Sequence, residues 1–140
     1  MKYQISTDDL EFQRQFETGS FPPAEFSHRE HVRLAYVYLC GNEPEAAHFK
    51  MRQALQQYLA HHGIDPGKYH ETMTKAWVLA VRHFMERSAG AASSEQFIEN
   101  CPLLLEKEIM LTHYTKSELF SEKARSGFIE PDLEQIPRYA

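Results

Sequence analysis

Cysteine is scarce in this sequence of 140 residues: Cys40 and Cys101 are the only two, and neither belongs to a CxxC pair. Both sit in apolar surroundings, which fits two buried thiols in a reducing compartment better than a disulfide framework or a zinc ribbon. Glycine is equally sparse. The six glycines are scattered and form neither GxGxxG nor GxxxxGK, so the chain has no phosphate-cradling loop. No apolar run serves as a signal peptide or approaches the length of a membrane span. A cytoplasmic location is therefore expected, with no membrane partner. Positive charge is also in deficit: 15 Lys+Arg against 20 Asp+Glu leave a formal charge of -5. That balance lacks the basic field on which phosphate-backbone binding depends, and nucleic acid is not expected as a partner.

Alternation of apolar and polar residues is missing as well, and with it any case for a sheet; no internal repeat or heptad run appears. With 42% hydrophobic and 25% charged residues, the chain carries enough apolar surface for one globular core. The pattern predicts an all-α, compact single-domain bundle of five or six helices around three principal ones, spanning residues 1–140. An extended C-terminal tail is expected from about 129 to 140.

The helix signals are specific. Ser6 offers an N-cap with Asp8 and Asp9 in the first turn, and Gly19 ends that helix. Pro22 and Pro23 enforce a loop. Ser27 with Glu30 reads as a capping box opening HREHVRLAYVYLC, whose broad apolar face makes it central. Asn42 with Glu45 suggests a second box, for a helix running to His61 or His62. A long pattern follows from about Lys68 to Arg87. The run SAGAASS at 88–94 reads as a flexible linker, followed by a short helix at Phe97 and Ile98 and another through Leu103 to Leu111. Thr115 with Glu118 opens KSELFSEKARSGF, read as one helix ending at Gly127.

Chemistry concentrates in the histidines, of which there are eight. His28 and His31 stand one turn apart at the start of a helix, so both can face one point. His70 stands at the start of another, on a row with Thr74 and Trp77. If those two ends meet, three imidazoles with an open fourth position match the ligand chemistry of a divalent transition metal such as Zn, Fe, Ni or Cu. Glu71, Tyr69 and Arg125 are the candidate catalytic or orienting residues for a small polar or anionic molecule. Histidines at this spacing also serve as plain hydrogen-bonding residues. A metal-free module binding a small molecule or partner, and a structural or homo-oligomeric component, therefore stay open beside the metal site. No HExxH or ExxH reinforces the metal reading.

The stretches FSHREHVRLAYVYL, YHETMTKAW and HYTKSELFSEKARSGFIEPDL resemble a family of small uncharacterised bacterial all-helical proteins. Their pattern is Phe-x-His-x-x-His, Tyr-His-x-Thr and a late Ser-x-x-Ala-Arg, matched here by Phe26, His28, His31, Ala35, Tyr69, His70, Thr72, Ser121, Ala124 and Arg125. The resemblance spans about Phe12 to Pro137. It implies a stand-alone helical domain in a bacterial cytoplasm and brings no activity with it.

Overall fold

The computed structural model describes residues 2–139. Its α-helices are α1 (Thr7–Glu17), α2 (His28–Leu39), α3 (Pro44–His61), α4 (Glu71–Glu86), α5 (Ser94–Asn100), α6 (Lys116–Leu119) and α7 (Glu122–Ser126). Short 3-10 segments lie at Pro23–Glu25, Pro66–Lys68, Pro102–Leu105 and Lys107–Thr112. The domain is all-α, but the expected five or six helices is corrected to seven α-helices among the described residues, with four 3-10 segments besides.

The extra pieces come from the C-terminal third. KSELFSEKARSGF is two helices, because Ser121 leaves helical geometry and caps α7 by accepting from the Ala124 N–H. Residues 102–112 make two 3-10 segments, since Pro102 cannot donate to a continuing ladder and Glu106 is extended between them.

Helices α2, α3 and α4 pack on one another and form the centre. On α2, Val32, Leu34, Ala35 and Tyr36 have no exposed surface, and on α4 the same holds for Ala76, Val78 and Val81. Four buried tyrosines end on backbone carbonyls, Tyr36 on Gln4 at 2.6 Å, Tyr3 on Met85 at 2.7 Å, Tyr114 on Ile129 at 2.7 Å and Tyr58 on Phe21 at 2.5 Å, and buried Tyr38 ends on the Glu17 carboxylate. Each satisfies a hydroxyl that would otherwise be costly to bury. Cys40 and Cys101 are both free and buried, and burial raises the Cys40 thiol to about 11.

Two expectations about local structure change. Asn42 does not cap α3; Glu43 occupies that position, and the Asn42 amide donates instead to the Tyr38 carbonyl that closes α2. The 88–94 run is also anchored. Ala91 exchanges backbone hydrogen bonds with Lys2 and Gln4, and Ser94 is buried against Asp9. Asp9 in turn takes the N–H groups of Ser6 and Ser94 and the Arg33 guanidinium, tying α1, α2 and α5 together.

The C-terminal segment is held to α4 through buried Thr72. Its hydroxyl donates to the Gly127 carbonyl at 2.9 Å and accepts from the Ile129 N–H at 3.1 Å. Residues 130–139 contain no helix. Buried Ile136 pins them, while Leu133 is 52% exposed.

Candidate functional site

Two cavities lie along the N-terminal halves of α2 and α4. The smaller, about 390 Å³, is walled by Phe26, His31, Leu55, Lys68, His70, Met73, Phe120 and Arg125 among others. The larger, about 920 Å³, is walled by His28, Trp77, Met110, Leu111 and Leu119, again with Phe26, His31, Met73 and Phe120. Those four residues belong to both, so His31 stands where the cavities adjoin.

The local sequence places these side chains. Ser27 donates its N–H and its hydroxyl to the Glu30 carboxylate, which starts α2 and leaves His28 and His31 in its first turns. His70 is not inside a helix, as the spacing had suggested; it is the N-cap of α4. Its Nδ1 accepts the Met73 N–H at 3.1 Å, the task usually given to Ser, Thr, Asp or Asn.

The three histidines divide by what their nitrogens do. His70 Nε2 donates to the Leu119 carbonyl at 2.8 Å, so both its ring nitrogens are engaged and the neutral Nε2–H tautomer is fixed. His28 Nε2 donates to the Leu104 carbonyl at 2.9 Å, and its ring lies against Trp77 with centroids 4.5 Å apart. His31 has no side-chain hydrogen bond among the described residues; its ring meets only the edge of Phe26, with centroids 6.5 Å apart. Burial lowers the His28 and His70 pKa values. Burial, with nearby His28, lowers that of His31 to about 4. All three are neutral near pH 7.

A metal ligand must offer a lone pair, and that of His70 is already bonded to Met73. Among the described residues no group of three or more His, Cys, Asp or Glu side chains is arranged to hold a metal ion. His28, His31 and His70 come to adjoining cavities, with His31 shared between them and no hydrogen bond from His31 to His70.

Glu71 lines neither of these cavities and borders a separate cleft with Arg52, Tyr69 and Arg125. Its carboxylate takes Arg52 through two contacts at 3.1 and 2.5 Å and the Tyr69 hydroxyl at 2.5 Å. Burial works to raise its pKa, but the Arg52 and Tyr69 hydrogen bonds outweigh it and hold Glu71 ionised. A carboxylate so committed ties α3 to the start of α4 and has little basicity to offer. Buried His48 stands 3.4 Å from Glu71, and among the described residues its Nε2 has no hydrogen-bond partner. Arg125 reaches the smaller cavity and donates to the Gly67 carbonyl at 3.2 Å.

Nothing in the residue spacing marks Lys68 and Phe120 as wall residues, or Arg52 as the partner of Glu71. Phe120 is 56% exposed although it borders both cavities. Its position after Leu119 on a short helix gave no periodic signal. The chain matches no family model, no curated protein and no solved structure in these comparisons.

Proposed function

We propose that this chain is a metal-free helical module that binds a small molecule in the paired cavities, with His31 as the polar contact. One observation carries the reading: among the described residues half-buried His31 has no side-chain hydrogen bond, whereas His28 and His70 spend their Nε2 protons on backbone carbonyls. A half-buried imidazole without a partner gains from a ligand that supplies one. The cavity walls add an apolar lining with a few convergent polar groups, the usual character of a small-molecule site. The role expected of Glu71 as a base is replaced by one in positioning, through its ties to Arg52 and Tyr69.

A thermal-stabilisation screen of polar and anionic metabolites, run with and without chelator, tests this. Stabilisation that is indifferent to chelator and lost in His31→Ala, with helicity retained, is the expected outcome. Stabilisation that appears only after loading with Zn, Fe, Ni or Cu would return the site to metal chemistry.

A further inference from the structure

We infer that the ligand is a single-chain amphipathic carboxylate, its head in the smaller cavity between Lys68 and Arg125 and its apolar chain in the larger one against Trp77. The inference rests on the pocket reading above and adds the chemical class.

The charge distribution gives the head. The protein carries five more acidic than basic residues, yet the wall of the smaller cavity has Lys68 and Arg125 and, among the described residues, no carboxylate. Neither cation forms an ion pair among the described residues; Arg125 spends one N–H on the Gly67 carbonyl and keeps the others. A planar guanidinium with free donors suits a carboxylate. His31, neutral in the same wall, supplies one further N–H donor to such a head.

The lining gives the chain. The larger cavity is lined by Trp77, Met110, Leu111 and Leu119, so an alkyl or aryl group lying against them loses much of its contact with water. Its cations, Lys107 and Lys116, share their wall with Glu108, which makes that end the poorer place for an anion. Phe26, Met73 and Phe120 border both cavities and give a chain an apolar passage from one to the other. Methionine and an exposed phenylalanine at that passage adapt readily to different chains.

Trp77 is the only tryptophan, so its fluorescence reports the larger cavity alone. The intact chain is titrated with decanoate below its micellar concentration, and with decanol, decyltrimethylammonium and acetate, by calorimetry and Trp77 emission together. Decanoate is expected to bind saturably at one per chain and shift the emission, while acetate leaves it unchanged. Affinity should climb roughly fourfold per methylene from hexanoate to decanoate. Arg125→Gln and Lys68→Gln should each weaken decanoate by about tenfold, the scale of a charge-assisted hydrogen bond, and leave decanol unaffected.

Equal affinity for decyltrimethylammonium and decanoate overturns the head assignment, as does unchanged decanoate binding in both variants. Decanoate binding that leaves Trp77 emission untouched overturns the chain assignment. If decanoate fails while another metabolite stabilises the chain through His31, the ligand class falls and the pocket reading stands. If no small molecule does so, both fall.

Discussion

His70 donates its Nε2–H to the carbonyl of Leu119 at 2.8 Å, joining the N-cap of one central helix to the end of a short helix 49 positions later. The same ring accepts the Met73 N–H, so one side chain is both the N-cap of α4 and the clip that holds α6 beside the cavities. His28 makes the matching clip to Leu104. Both histidines thus tie the central helices to later segments, and the His70 clip fixes Leu119 in the wall of the larger cavity.

His70→Ala should therefore cost about 2 kcal/mol, roughly 1 for the cap and 1 for the clip. His70→Asn restores the cap alone and should recover about half. Urea denaturation of the three proteins checks the order, and equal stability of the alanine and asparagine variants would remove the capping role.

Acid should weaken the fold as its buried histidines are forced to take up protons. His28, His31, His48 and His70 all have pKa values lowered from 6.5, chiefly by burial, with His31 at about 4. A folded pKa below the unfolded one means that the unfolded chain takes up protons first. The stability is then complete above about pH 6.5 and declines as pH falls towards 4. Melting temperature measured across pH 7.5 to 4.5 should fall through that window. His31→Phe should flatten the decline; an unchanged slope would show that His31 is not held neutral by its surroundings.

What the sequence disclosed and what it hid follow one physical rule. Capping at Ser6, Ser27 and Thr115 was legible, because the partner in each case lies three residues away. The all-α class and the central place of α2 and α4 were legible from apolar periodicity. The division of KSELFSEKARSGF was hidden, although Ser121 is itself a standard capping residue in the middle of it. The roles of His28 and His70 were hidden because their partners are backbone carbonyls 76 and 49 residues away, which no local spacing encodes. Arg52 and Glu71 meet across two helices for the same reason, so Glu71 read as a free carboxylate.

Gly19 is fixed by two constraints at once. Its φ of +82° lies where side chains are strained, and a Cβ there would run into the ring of His61. Gly19→Ala should cost more than about 1 kcal/mol. Adding His61→Ala should return the steric part and leave the backbone part, which a double-mutant cycle by thermal unfolding separates.

Asp9 is the residue whose loss should be felt most widely. It is 1% exposed and accepts from Ser6, Ser94 and Arg33, which belong to three different parts of the chain. Burial opposes its ionisation, but the hydrogen bonds from Ser94 and Ser6 and the Arg33 charge prevail and lower its pKa. Asp9→Ala leaves the Ser94 N–H without its acceptor and the Arg33 guanidinium without its counter-charge. Breaking such a buried pair costs about 3–5 kcal/mol. Asp9→Asn keeps the shape and one acceptor oxygen but removes the charge, so it should fall between Asp9→Ala and the wild type. The damage should be local as well as global, since α5 is anchored at its first residue by this carboxylate. Hydrogen exchange in Asp9→Asn is expected to accelerate first in Ser94–Asn100 and around Ala91, while the amides of α4 keep their protection. Uniform acceleration across α4 and α5 would show that Asp9 stabilises the bundle as a whole and does not specifically dock α5.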